Sequence, residues 1–82
     1  MVDPMKRQKF RVALYRGTDE IARDESFAHN SGVRKSEALV RAFAREHDTL
    51  MIGASPHRND EGYSRQWTDG THTVIAVVIP IS

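Results

Sequence analysis

The sequence feature that most constrains the fold is a helical pattern over Ser31–His47 that leads almost directly into an apolar run, Thr49–Ile52. Leu39 and Phe43 lie one helical turn apart, so they share one side of the predicted helix. The apolar stripe they define is narrow, but it is wide enough to pack on one face of a sheet. We therefore expect a single helix around which the rest of the chain builds sheet.

The opposite side of this helix is charged. It carries Arg34, Arg41 and Arg45, and Glu37 lies four residues before Arg41, in the order that favours an ion pair. Arginines in such a row can bind phosphates or acidic protein surfaces, and in many helices they only keep a face solvated. The sequence leaves both interpretations open.

Two strands are predicted before the helix. Lys9–Arg16 alternates apolar and polar side chains, which is typical of a half-buried strand, and Gly17–Asp19 has the chemistry of a turn. Glu20–His29 fits either a helix or a strand, and the tight glycine-containing connection favours a hairpin. As an edge strand, Glu20–Phe27 would be open to pairing with a second copy in a homodimer.

The segment after the helix is expected to contain a strand and then a loop. Thr49–Ala54 is a short apolar run, which predicts a buried strand. Ser55–Gly62 is polar and is predicted to form a mobile loop.

The last two predicted strands form a hairpin. Tyr63–Thr68 has the alternation of a strand, and Asp69–Gly70 after it is the strongest short hairpin signal in the chain. Thr71–Ile79 is almost wholly apolar in its second half, which predicts a central position in the sheet. Pro80 is expected to end this strand.

These elements predict an α+β fold class: a single helix packed on a four- to five-stranded, mainly antiparallel sheet, in the order ββαβββ. A chain of 82 residues forms one domain, which we place at residues 5–82. Residues 1–4 precede a second methionine, Met5, and are expected to be a disordered leader or a remnant of expression.

Charge and cysteine content exclude several classes of protein. Lys and Arg total 12 against 11 Asp and Glu, a net charge of +1, so bulk electrostatic binding to nucleic acid is not indicated. The lack of cysteine excludes disulfides, thiol catalysis and zinc–thiolate sites. The longest apolar run, Val74–Ile79, is too short to span a bilayer, and no signal peptide is visible. We expect a cytoplasmic protein with no membrane partner.

Few residues are candidates for catalysis or metal binding. The histidines lack the spacing of metal ligands: His29, His47, His57 and His72. His57 shares its predicted loop with Asp60 and Glu61, and a mobile loop holds catalytic groups poorly. Neither a nucleophile elbow nor a glycine-rich phosphate loop is present. We therefore expect no enzymatic activity, no bound metal and no cofactor.

Tyr63, Arg65 and Trp67 share one side of a predicted strand. Aromatics interleaved with arginine can stack on bases or anchor a protein interface, and Trp67 can equally cover the sheet edge as part of the core. With the helix arginines and the polar loop they complete the candidate partner-binding set. Its members are Arg34, Arg41, Arg45, His57, Arg58, Asp60, Glu61, Tyr63, Arg65 and Trp67.

In length and element order the chain resembles the anti-CRISPR proteins, which are small phage-encoded inhibitors of bacterial defence. The resemblance rests on Phe10–Tyr15, the Leu39/Phe43 helix, Thr49–Ala54 and Val74–Ile79. It implies a non-enzymatic phage protein that docks on a nucleoprotein complex and blocks it, and it assigns no site residues.

Three functions remain, in decreasing order of weight. The first is a small non-enzymatic protein that binds a protein or nucleoprotein partner and inhibits or regulates it. The second is a nucleic-acid-binding module in which the helix arginines contact phosphates and Tyr63 or Trp67 stacks on bases. The third, with the smallest weight, is a small enzyme or metal protein.

Overall fold

Two strands, one helix and four further strands follow one another in the computed structural model, which describes residues 8–59 and 62–81. The strands are β1 Lys9–Arg16, β2 Asp19–Ser26, β3 Ile52–Gly53, β4 His57–Asn59, β5 Gly62–Thr68 and β6 Thr73–Ile81, and the helix is α1 His29–Glu46. The predicted leader, residues 1–4, lies outside the described residues. In the described part of the chain, no helix combines the length and apolar character needed to cross a membrane.

All the strands belong to one antiparallel sheet with the order β2-β1-β6-β5-β3, and the short β4 also pairs with β5. The predicted α+β fold class is therefore confirmed. The predicted central position of the Val74–Ile79 segment is confirmed as well, because β6 has β1 on one side and β5 on the other. With nine residues it is also the longest of the described strands.

The core lies between α1 and one face of β1 and β6. Val12 and Leu14 of β1 and the alternating Val74, Ala76 and Val78 of β6 are fully buried there. From the helix, Val40 and Phe43 pack on these side chains, and Leu39 is half-buried beside them. Every second residue of each strand faces the helix, and the apolar stripe of α1 faces the strands. One stripe of the helix therefore covers one face of the sheet.

The first turn of the helix lies close to the sheet. Gly32 is buried there, and a Cβ atom at this position would lie 2.8 Å from Cγ1 of Val78. The helix starts two residues earlier than predicted, and Ala28 at its N-cap makes no side-chain capping hydrogen bond. The Ser26 hydroxyl instead accepts a hydrogen bond from the Ala28 amide and donates one to the Ala28 carbonyl.

The run after the helix is the main error of the predicted fold. Thr49–Ala54 was expected to form a buried strand, but only Ile52 and Gly53 pair with β5, at the edge of the sheet. Leu50 is 78% exposed and Ile52 is 67% exposed, whereas Met51 between them is buried. A segment at the edge of the sheet is covered by the protein on one side only, so the hydrophobicity of Thr49–Ala54 did not show which of its residues are buried.

Two further boundaries differ from the prediction. The expected loop Ser55–Gly62 contains β4, which pairs with the start of β5 through residues such as Arg58, opposite Tyr63. Pro80 lies inside β6 and pairs with β1 rather than ending the strand. Because β5 pairs with β6 only as far as Val78, Pro80 has a neighbouring strand on one side alone among the described residues.

The opposite face of the sheet carries no helix among the described residues. Along β6 it presents Ile75, Val77 and Ile79, which are half-buried or exposed. β2, at one edge of the sheet, is a strand as favoured, and it is dominated by charged residues such as Arg23 and Glu25. Charges along an edge oppose uncontrolled pairing with other strands.

Candidate functional site

Three arginines of α1 form an exposed row that we call the arginine stripe: Arg34, Arg41 and Arg45. Their spacing of seven and four residues places them on one side of the helix, over roughly 16 Å of its length. None of the three forms an ion pair with a residue that the structure describes, and the expected pair between Glu37 and Arg41 is also absent there. Within residues 8–59 and 62–81, the stripe is therefore a cationic surface without ion pairs.

Beside the stripe, a cleft of about 200 Å³ separates α1 from the edge of the sheet. We call it the edge groove. Its lining residues are Glu37, Val40, Arg41, Ala44, Leu50, Met51 and Trp67. Leu50 stands on its rim almost fully exposed, and Arg41 belongs to both the groove and the stripe. The groove thus combines apolar walls with a cationic side chain.

Trp67 lines the edge groove and contacts Arg65. The guanidinium carbon of Arg65 is 4.4 Å from the centroid of the Trp67 ring, and its Nε donates a 2.6 Å hydrogen bond to the carbonyl of Ala54. The indole Nε1 is buried without a hydrogen-bond partner in the described residues. One ring face is covered by arginine, and the half-buried ring packs against the core, so Trp67 offers little surface for stacking on a base.

The remaining predicted contact residues are dispersed. Tyr63 is only 4% exposed and packs with Val12 and Val78 in the core, which leaves almost none of its surface for a partner. His57 and Arg58 are exposed on β4, with the Arg58 guanidinium 5.6 Å from the centroid of the Tyr63 ring. Asp60 and Glu61 lie outside the described residues.

A second polar site, which the sequence did not indicate, lies where the end of α1 meets the β5–β6 hairpin loop. The rings of His47 and His72 have their centroids 4.8 Å apart. Phe43 completes the cluster: His47 stacks on it with centroids 4.0 Å apart, and His72 meets it edge-on at 5.8 Å. We call this cluster with Asp69 the histidine junction.

Asp69 holds the histidine junction together. Its carboxylate accepts hydrogen bonds from the backbone amides of His72 and Thr71, the Thr49 hydroxyl and Nδ1 of His72. These donors stabilise the ionised form, with the His72 amide contributing most, so the pKa of Asp69 lies well below its usual range. Because Thr49 follows the helix and Asp69 closes the hairpin, this carboxylate ties two distant parts of the chain.

No motif in the sequence identifies the histidine junction, because His47 and His72 are 25 positions apart in the chain. The usable signal was the Asp69–His72 spacing within a hairpin turn, where an Asp side chain commonly accepts hydrogen bonds from the following amides. Among the described residues, no group of three or more His, Cys, Asp or Glu side chains is placed to hold a metal ion.

No protein-family model, curated protein or solved structure matches this chain. The class that the fold and surfaces define is a small α+β domain with one helix on an antiparallel sheet and an exposed row of arginines on that helix.

Proposed function

We propose that the protein is a small non-enzymatic binding protein that docks on an acidic protein or nucleoprotein partner and inhibits or regulates it. The observation that carries this proposal is the combination of the arginine stripe with the edge groove. Arg41 of the stripe lines the groove together with Leu50, which is 78% exposed, and Arg41 makes no ion pair with a described residue. A single exposed leucine is ordinary, but one set beside an apolar cleft and a free arginine resembles an interface anchor.

The chemistry of this surface indicates what the partner presents. The edge groove would take one apolar side chain from the partner, while Arg41 would pair with a carboxylate or phosphate beside it. Arg34 and Arg45 would extend the cationic contact along the helix. Protein interfaces have this organisation, with an apolar centre and a charged, solvated rim.

The resemblance in length and element order to anti-CRISPR proteins makes a bacterial CRISPR effector complex the first partner to test. Such a complex carries a guide RNA and, once bound, its target DNA, so it presents nucleic-acid phosphates. Target-DNA cleavage by purified effector complexes of different types should be measured with and without the protein. Inhibition at near-stoichiometric protein supports the finer proposal, and cleavage unchanged by excess protein in every complex removes it.

The docking surface itself is tested by matched variants. Arg41→Glu and Leu50→Asp should each abolish capture of the partner by the immobilised protein, since both change the groove. Arg16→Glu, at an exposed position at the end of β1, makes the same charge change away from the groove and should leave capture intact. Equal loss in all three variants, or in none, would contradict docking at this surface.

Nucleic-acid binding is the second candidate, favoured by the row of exposed arginines on α1. The burial of Tyr63 and the covered face of Trp67 argue against base stacking, so contact would be with phosphates only. Fluorescence anisotropy with duplex DNA and single-stranded RNA at low salt tests it. Binding that weakens steeply with salt and is lost when the stripe is neutralised supports this function, and no binding at low salt excludes it.

A further inference from the structure

The histidine junction holds two imidazole rings whose hydrogen bonds determine which nitrogen is free. Nδ1 of His47 lies 3.0 Å from the carbonyl oxygen of Phe43, and Nδ1 of His72 lies 3.0 Å from Oδ2 of Asp69. A carbonyl or carboxylate oxygen can only accept, so both Nδ1 atoms carry the proton. In the neutral rings, both Nε2 atoms then keep a lone pair, and neither has a hydrogen-bond partner among the described residues.

Both rings are held in place by the surrounding structure. His47 is fixed by its stacking on Phe43, and the residues after it are anchored by the Thr49 amide, which donates to the Ala44 carbonyl at 2.9 Å. His72 is fixed by Asp69, whose carboxylate is itself held by Thr49 at 2.7 Å. A carboxylate that accepts from the distal nitrogen of a histidine is the usual outer partner of a metal-binding imidazole.

We propose that His47 and His72 together bind one divalent transition-metal ion through their Nε2 atoms, with water completing the coordination. Zn²⁺, Cu²⁺ and Ni²⁺ are the ions that imidazole suits, and Cu²⁺ binds most tightly in this series. Asp69 is a positioning residue and not a ligand, because its oxygens already accept four hydrogen bonds. The site does not depend on the proposed partner surface.

The separation of the rings fits a shared ion. A metal–nitrogen bond of about 2.0–2.1 Å places the centre of an imidazole ring roughly 3.2 Å from the ion. When the angle between the two metal–nitrogen bonds lies between a right angle and the tetrahedral angle, the two ring centres are therefore roughly 4.5–5.2 Å apart. The observed centroid distance of 4.8 Å lies within that interval, and the rings are tilted by 59° rather than stacked. Because the two ligands are already held together, the second joins the ion at high effective concentration.

The test is titration of the 82-residue chain with Cu²⁺ and with Zn²⁺ near neutral pH, compared with three single variants. His47→Gln and His72→Gln each remove one ligand and should weaken binding by about tenfold or more, since chelation is lost. His57→Gln removes an exposed histidine of β4 and is the matched control, which should bind as the unmodified protein does. The Cu²⁺ electron paramagnetic resonance spectrum should show coupling to two imidazole nitrogens at one ion per chain.

Several results would overturn the proposal. They are no binding at equimolar metal, a spectrum with one imidazole nitrogen, undiminished binding in His47→Gln or His72→Gln, or an equal loss in His57→Gln. If a junction variant fails to fold by circular dichroism, the spectrum of the unmodified protein decides alone. Zn²⁺-induced NMR shifts confined to His47 and His72 would support the site, and shifts spread over all the histidines would contradict it.

Discussion

Gly32 shows, at the scale of one residue, that packing can reverse a local preference. In an exposed helix, replacing Gly by Ala stabilises by about 1 kcal/mol. Here the new Cβ would lie 2.8 Å from the stiff side chain of Val78, which is fully buried. Overpacking of this kind costs about 1–3 kcal/mol, so Gly32→Ala should lower the free energy of unfolding by roughly 1 kcal/mol, measured by urea denaturation.

A double-mutant cycle identifies the cause of that loss. Val78→Ala removes the methyl group that Gly32→Ala would strike, so the two changes together should cost less than the sum of the single changes. An increase in stability for Gly32→Ala alone would mean that α1 lies further from the sheet than described.

Asp69 determines how stability depends on pH at the histidine junction. Its pKa is depressed in the folded protein by the donated hydrogen bonds, so its contribution is complete above the unfolded pKa of about 3.9 and is lost as pH falls toward the folded value. Urea midpoints measured from neutral pH downward should show Asp69→Asn less stable than the unmodified protein at neutral pH. That difference should shrink below about pH 4. A difference that stays constant with pH would contradict the role of the ionised carboxylate.

The two faces of β6 should respond differently at the scale of the element. Val78 is 0% exposed and faces α1, whereas its neighbour Val77 is only half-buried on the opposite face. Val78→Ala should reduce the free energy of unfolding by about 2–3 kcal/mol through lost burial and a cavity. Val77→Ala makes the same chemical change and should cost less than half as much. Equal costs, measured by urea denaturation, would imply that the second sheet face is covered in solution.

Strand position should determine the order of opening in the whole molecule. β6 is paired on both sides, whereas β3 and β4 each pair with β5 alone over two and three residues. Short peripheral strands open locally at low cost, and central strands exchange only through global unfolding. Hydrogen exchange followed by NMR should therefore show the slowest amides in β6 and early exchange in β4. Protection in β4 as strong as in β6 would require a covering that the described residues do not supply.

Much of the fold could be predicted because the hydrophobic pattern of each element agrees with the side that the element buries. The Leu39/Phe43 stripe, the alternation of Lys9–Arg16 and the apolar β6 segment each match the surface that the element buries. The prediction of a buried strand over Thr49–Ala54 was wrong because hydrophobicity does not distinguish a central strand from a segment at the sheet edge. The candidate site followed the same division: Arg34, Arg41 and Arg45 are exposed as their helical spacing predicted, whereas Tyr63 lies in the core.

By itself the sequence determined the periodicities, and through them the helix, the principal strands in their order along the chain and the central position of the last strand. Its lack of cysteine excluded cysteine chemistry. Only the tertiary structure decided that Leu50 and Arg41 line one groove, and that the rings of His47 and His72 lie beside each other, with Asp69 bonded to His72. The physical reason is the separation along the chain of the residues involved. Periodicity acts between residues a few positions apart, whereas a groove or a pair of imidazoles depends on which distant segments the packed core brings together.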